Sequence, residues 1–163
     1  MQQLCDHMGI KKGSLYDTFG DKRTLFLAAL NQYQKLNTPP SDLVEQVGSA
    51  KSAIVEIFNQ IVDASVQDKD CRGCFMVNSI VELAPIDPEF AVMSVNRRKE
   101  YEDMFHHLLV TAQEMGEIRP SGNLIALARF LTNAVFGLRV TAKSTQERDV
   151  LQDIVATTLS VLN

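Results

Sequence analysis

The chain lacks the features that mark membrane proteins and secreted proteins. Within its 163 residues the uninterrupted apolar runs are only a few residues long, so we expect no membrane-spanning helix. The first 20 residues carry charge throughout and contain no apolar stretch, which argues against a signal peptide. The three cysteines, an odd number, argue against a disulfide framework and favour the reducing cytoplasm.

Glycine and proline are also scarce, with 8 and 5 residues, and they fall at the ends of segments. Between them apolar residues recur at three- and four-residue spacing, and no stretch shows the alternation of a β-strand. The sequence therefore predicts an all-α fold. Its 45% hydrophobic and 22% charged residues are typical of a globular protein.

These breaks divide the chain into predicted helices. The segments are about 1–8, 12–19, 22–36, 41–67, 74–83, 88–115, 123–143 and 145–162. We expect Gly48 to kink or interrupt the fourth segment, and Thr145 to cap the last. The turn at residues 37–40 (NTPP) is the best candidate for a domain boundary, which gives domains of 1–36 and 37–163.

Charge is unevenly distributed along the chain. The net charge is −4, yet residues 1–36 hold five basic and three acidic residues, while the remainder holds 11 basic and 17 acidic. A weakly basic head on an acidic body fits a nucleic-acid-binding module attached to a second domain.

Residues 4–22 (LCDHMGIKKGSLYDTFGDK) have the pattern of the second half of a helix-turn-helix. Gly9 allows a tight turn and Ile10 pins the two helices together, while Leu15 and Phe19 are spaced to face the interior. The residues left to meet phosphates or base edges are Lys11, Lys12, Gly13, Ser14, Tyr16, Asp17 and Lys22. The alternative is an ordinary helical hairpin with no role in DNA binding.

One of these residues, Asp17, is an anion that would face DNA. It would either accept a hydrogen bond from the N4 amino group of cytosine or disfavour some sequences.

The stretch from Gly9 to Leu25 resembles the TetR family of bacterial transcriptional regulators. It contains the family's glycine, aliphatic residue, polar pair and Gly-Ser-Leu-Tyr, followed by Phe, Lys and Leu at the family's spacing. The resemblance implies that Tyr16 and Lys22 contact the DNA backbone. It departs at Lys11, where the family often has Ser or Thr, and at Thr18, where it often has His.

The resemblance also implies an architecture and an activity. The incomplete helix-turn-helix would precede a helical bundle for ligand binding and dimerisation. The chain would act as a homodimeric repressor on a palindromic double-stranded DNA operator, and a small-molecule or electrophile inducer would release it.

The family has one helix, and the start of another, before the point at which this chain begins. The resemblance therefore implies that Met1 is an internal start. Without the missing helix Leu4, Leu15, Phe19 and Leu25 would lose packing partners, at about 1.5–3 kcal/mol for each exposed side chain. The sequence leaves open whether the chain still binds DNA, and the alternative function is a small-molecule-binding or thiol-sensing helical dimer that no longer binds DNA.

Cys71 and Cys74 form a C-x-x-C pair. One pair supplies only two of the four ligands of a structural zinc site, and a thioredoxin-like site needs a βαβ context, so we expect no metal and no cofactor. Cys74 at a helix start beside Arg72 could sense oxidants or electrophiles. The alternative is a buried cysteine that acts as a small hydrophobic residue.

Family analogy places an effector pocket among the middle helices. The candidates are Phe58, Ile61, Cys74, Phe75, Asn78, Phe105, His106, Phe130 and Asn133. For each of them a role as an ordinary core or surface residue is the alternative.

The last two segments, about 123–143 and 145–162, carry broad apolar faces. We expect them to form a four-helix interface between two subunits, and the alternative is packing within one chain. No paired carboxylates, nucleophile–base arrangement or phosphate loop points to an enzyme.

Overall fold

The computed structural model describes residues 1–119 and 122–163, and within these ranges it is helical without strands. The all-α prediction is confirmed. The elements are α1 (Gln2–Met8), α2 (Lys12–Phe19), α3 (Lys22–Leu36), α4 (Leu43–Val47), α5 (Ala50–Gln67), α6 (Phe75–Leu83), α7 (Pro88–Glu114), α8 (Leu124–Thr141), α9 (Arg148–Leu159) and a 3₁₀ turn (Ser160–Leu162). They form two compact units, residues 1–38 and 39–163.

The first unit consists of α1, α2 and α3, with α2 packed against both neighbours. Gly9 ends α1 in the left-handed region, with φ of 65°, where a glycine has no side chain to clash. Asp21 begins α3, and its Oδ1 accepts the backbone N–H of Thr24 at 2.7 Å. The cap gives a hydrogen-bond partner to one of the first backbone N–H groups, which have none within the helix.

The interior of this unit is small, and its buried residues are Cys5, Leu15 and Leu30. The expectation that Leu15 would be exposed is wrong, because α2 lies between α1 and α3 and the leucine is only 1% exposed. Leu4 does remain 40% exposed. Phe19 and Leu25 are half-buried.

The second unit is built around α7, which packs against α5, α6 and α8, and α9 closes the bundle against α5 and α8. Its continuous core is mostly aliphatic and contains the fully buried Phe58 and Phe105. Phe90 in α7 is also fully buried but lies outside this cluster. Packing of this kind, more than helix propensity, stabilises helices in proteins.

The interruption expected at Gly48 is present, whereas the start of the last helix differs from the expectation. Gly48, with φ of 81°, separates α4 from α5, and Ser49 then caps α5 by accepting the backbone N–H of Ser52 at 2.9 Å. Thr145 is not the N-cap of the last helix, because α9 begins after Glu147. In the preceding turn the side-chain amide of Gln146 donates to the carbonyl of Asp68, and the Glu147 N–H donates to the Thr145 hydroxyl.

The expectation that no segment could span a membrane also needs correction. By length and composition alone α8 could do so, although a core helix of a soluble protein meets the same criteria. In this chain α8 carries Arg129 and Arg139 and buries Leu131, Val135 and Leu138 in the bundle core.

Candidate nucleic-acid interface

The outer face of α2 is polar and open. Leu15 is buried and Phe19 is half-buried, and together they define the inner face of the helix. Successive residues turn by about 100° in an α-helix, so Asp17 lies about 180° from the midpoint of this inner pair. Gly13, Ser14 and Asp17 are all exposed. The residues of this face therefore do not pack against the rest of the unit.

Basic side chains flank the outer face. Lys11 is the N-cap of α2, Lys12 is its first residue and Lys22 is the first residue of α3, and all three are exposed. The Nζ of Lys12 lies 5.8 Å from the ring centroid of Tyr16, which is half-buried, so the two form a cation–π pair one turn apart. Of the seven predicted DNA-contacting residues, five thus lie on α2, Lys11 is its N-cap and Lys22 is the first residue of α3.

The start of α2 has no side-chain cap, because its N-cap residue Lys11 makes no side-chain hydrogen bond to the first turn. The first backbone N–H groups of a helix have no partner within the helix and are attractive to anions. By contrast α3 is capped by Asp21. The hydrogen bond from the Thr24 backbone N–H holds the pKa of Asp21 below its ordinary value.

In the second unit, three of the predicted effector contacts lie in the core. Phe58, Ile61 and Phe105 are at most 5% exposed. The ring centroids of Phe58 and Phe105 are 6.0 Å apart, and Tyr101 continues the series at 6.4 Å from Phe105. The rings of Tyr101 and Phe136 then meet edge to face at 5.7 Å. This row of aromatic rings spans α5, α7 and α8.

The other candidates are dispersed. Phe75 and His106 are half-buried, and Cys74 is buried as the N-cap of α6. Phe130 and Asn133 lie on the exposed side of α8 and not with Phe58 in the core, and Phe130 is 45% exposed. The structure therefore does not gather all nine residues into one group.

Asn78 already has a structural partner in the loop before α6. Its side-chain amide donates to the carbonyl of Arg72 at 2.8 Å. In the same loop the guanidinium of Arg72 bonds Asp68 at 2.9 Å and the Gly73 N–H donates to the same carboxylate at 3.1 Å. The hydrogen bond from Arg72, and next to it the one from Gly73, lower the pKa of Asp68. This network fixes the loop that carries Cys71 and Cys74.

Sequence reasoning missed Arg97, which is buried at 8% exposure in α7. Its guanidinium lies 4.8 Å from the ring centroid of Tyr101, and its Nη1 bonds Glu100 at 2.8 Å. The signal was its position: Phe90, Arg97, Tyr101 and Phe105 recur at seven- and four-residue spacing on the inner face. The adjacent Arg98 and Lys99 concealed it within a run of exposed charges.

Comparison with known proteins assigns the family. No protein-family model matches the chain. An uncharacterised HTH-type transcriptional regulator of Bacillus subtilis, YezE, is 39% identical over 100% of this chain and 85% of its own length. The Escherichia coli HTH-type transcriptional repressor ComR is 28% identical over 98% of this chain and 77% of its own length.

A solved structure agrees. The TetR-family regulator CifR, as a cysteine-substituted form complexed with 26-base-pair double-stranded operator DNA, superposes with a TM-score of 0.83. It is 25% identical, with 100% of this chain and 86% of that chain covered. The chain is a helix-turn-helix transcriptional regulator. It belongs to the TetR family.

Proposed function

We propose that this chain binds double-stranded operator DNA through the outer face of α2 and represses transcription. The observation that carries the proposal is the arrangement of α2, which exposes Gly13, Ser14 and Asp17 opposite its buried side. An α-helix that exposes one polar face in this way fits the major groove of B-DNA. The operator complex of the similar regulator CifR and the repressor named ComR support it.

Phosphate contacts would come from the edges of this face. Tyr16 can donate its hydroxyl to a phosphate, and Lys22 and the uncapped start of α2 offer positive charge. Such contacts supply affinity without sequence preference and make binding depend steeply on salt. Base contacts would come from the centre of the face.

The test is a fluorescence-anisotropy titration of the full chain against sites selected from a random double-stranded DNA pool. Lys22→Ala should weaken binding to every sequence and lower the slope of log K against log salt by about 1 per half-site. Tyr16→Phe should lower affinity about tenfold, as expected for one lost bond to a charged group. Lys35→Ala, which removes an equal charge at the far end of α3, is the matched control. Binding no tighter than to shuffled DNA would contradict the proposal.

We also propose that two copies associate through the exposed sides of α8 and α9, which would match a palindromic operator. The exposed stripe on α8 is Ala126, Phe130, Asn133, Gly137 and Val140, and its residues recur every three or four positions. The inner faces of both helices are used within the chain, where Val135, Leu138, Leu151 and Val155 are buried. Only the outer faces are available for a partner.

Gly137 gives a sharp test of this interface. A Cβ added there meets no atom of the chain within 4 Å, so the space beside Gly137 is open in the isolated subunit. Gly137→Leu should therefore leave the fold intact and raise the dimer dissociation constant, measured by analytical ultracentrifugation. Lys99→Leu, at an exposed position of α7, is the control for added apolar surface. A dimer unaffected by Gly137→Leu would place the interface elsewhere.

An effector held in the second unit would complete the mechanism. The proposed contacts remain Phe58, Ile61, Phe105 and His106, with Cys74, Phe75 and Asn78 near the start of α6. A ligand that prefers one conformation shifts the population toward it. Release follows if that conformation no longer spaces two recognition helices by about 34 Å, one turn of B-DNA.

The histidine pair on α7 allows a controlled test of the effector site. His106 is half-buried and His107 is exposed. For a compound that releases operator DNA, His106→Ala should raise the concentration needed for release, whereas His107→Ala should not. Equal effects of the two substitutions would remove His106 from the site.

A further inference from the structure

We infer that Asp17 determines specificity, by requiring a cytosine at one position of each operator half-site. The inference rests on the proposed DNA binding by α2. It goes further because it assigns one base identity to one side chain. Its basis is the position, exposure and charge of Asp17.

The position of Asp17 is central on the outer face of α2. Leu15 precedes it by two residues and Phe19 follows it by two, and both point inward. With about 100° between successive residues, Asp17 points directly away from the interior. Any groove that accepts this face of the helix meets Asp17 first.

The space around Asp17 is open. One turn earlier on the same face is Gly13, and a Cβ built there meets nothing within 4 Å. The Thr18 hydroxyl, which could have competed for the carboxylate, instead donates to the carbonyl of Ser14 at 2.9 Å. Within the ranges that the structure describes, no hydrogen bond or ion pair engages the Asp17 carboxylate. Both of its oxygens are available to a base edge.

The negative charge of the Asp17 carboxylate then determines which base can form a hydrogen bond with it. A carboxylate is an acceptor only, and it is repelled by phosphates and by the O6 and N7 acceptors of guanine. Thymine presents an O4 acceptor, and adenine presents an N6 donor beside its N7 acceptor. Cytosine alone presents its N4 amino group without an adjacent acceptor on the same base. An anion at the centre of a DNA-binding face therefore favours cytosine and penalises the other three bases.

The first experiment selects sites from a random double-stranded DNA pool with the full chain and with Asp17→Asn. The wild-type sites should contain a cytosine in each half-site at one position. In the Asp17→Asn variant this position should change to adenine, because an amide bonds both N6 and N7 of adenine. Asp6→Asn, which removes an exposed acidic charge on α1, should leave the selected sequence unchanged.

The second experiment changes the DNA and leaves the protein intact. Replacing the C·G pair with T·A in one half-site should weaken wild-type binding by roughly 5- to 140-fold, the equivalent of about 1–3 kcal/mol. Asp17→Ala should lose the preference for the C·G pair, because its methyl group accepts no hydrogen bond from the cytosine N4 amino group and can contact the methyl group of thymine. Asp17 is exposed, so circular dichroism should show unchanged folding in both variants.

The outcomes separate the two claims. If the wild-type chain selects a sequence but Asp17→Asn selects the same one and Asp17→Ala keeps the preference for the C·G pair, Asp17 is not the reader and the inference fails while DNA binding stands. If the wild-type chain selects no sequence at all, the proposed function fails and the inference fails with it. A cytosine that becomes adenine only in Asp17→Asn supports both.

Discussion

The two compact units place their informative residues on opposite sides of their helices. In residues 1–38 the distinguishing side chains point outward, as Lys12, Asp17 and Lys22 do, over an interior of very few buried residues. In residues 39–163 the distinguishing side chains point inward, as Arg97 and the aromatic row from Phe58 to Phe136 do. The first unit is specified by spacing along the chain, and the second by packing between helices distant in sequence.

This contrast predicts that the two units respond differently to loss of a buried side chain. The largest effect should come from Phe105→Ala in α7, since Phe105 is fully buried between Phe58 and Tyr101. Truncating a buried phenylalanine costs about 3–5 kcal/mol in the free energy of unfolding. Chemical denaturation followed by far-ultraviolet circular dichroism measures it.

The control for that substitution is Phe130→Ala, because Phe130 is 45% exposed. Its effect on the stability of the subunit should be a small fraction of that of Phe105→Ala, measured at protein concentrations that keep both variants monomeric. Similar losses for the two variants would mean that the aromatic row is not the centre of the bundle.

The same contrast explains which structural features could be predicted from the sequence. The helices of the first unit and the family were recognisable because Gly9, Gly13, Tyr16 and Phe19 are tied to fixed spacings by local geometry. The start of α9 was not, because the turn before it combines a local hydrogen bond from the Glu147 N–H to the Thr145 hydroxyl with one from Gln146 to the Asp68 carbonyl, 78 residues away. No local pattern reports a contact of that range.

The effector candidates show the same limit. Helical spacing identifies an apolar face but does not say whether it meets the chain's own core or solvent. The sequence pattern therefore does not distinguish Phe58 from Phe130, yet Phe58 is 1% exposed and Phe130 is 45% exposed. Arg97 was missed for the converse reason, since a charged residue in a charged run is ordinarily solvated. Which residues bind an effector stays a prediction.

A second substitution tests whether the first unit unfolds by itself. Leu15→Ala removes one of its few buried side chains, and such a loss typically costs about 2–5 kcal/mol. Hydrogen exchange should show lost protection in residues 1–38 and unchanged protection in α5, α7 and α8. DNA binding should fall while the dimer persists. Lost protection throughout the chain would show that the units unfold together, and would contradict the claim that they respond differently to the loss of a buried side chain.

Alanine substitutions at two glycines in the left-handed region, one in each unit, compare how tightly the turns of the two units are packed. Gly9 and Gly73 have φ of 65° and 67°, so alanine at either position is strained by about 1–2 kcal/mol. At Gly9 the added Cβ meets nothing within 4 Å, whereas at Gly73 it would lie 2.6 Å from Cγ of Lys143. Gly73→Ala should therefore lower the melting temperature more than Gly9→Ala. The combination with Lys143→Ala should recover the difference, and failure to recover it would mean that backbone strain accounts for the whole effect.

The smallest expected effect concerns pH and the first unit alone. The Thr24 backbone N–H lowers the pKa of Asp21 below its ordinary value of 3.8, so the ionised carboxylate is favoured by folding. The stability that it contributes is fully present above pH 3.8 and is lost as the pH falls through the lowered pKa of the folded state. Asp21→Asn keeps an N-cap acceptor but cannot titrate. Hydrogen exchange in α3 should therefore become less dependent on pH below about 4 in Asp21→Asn than in the wild-type chain. An unchanged dependence would mean that other carboxylates govern the acid response of this unit.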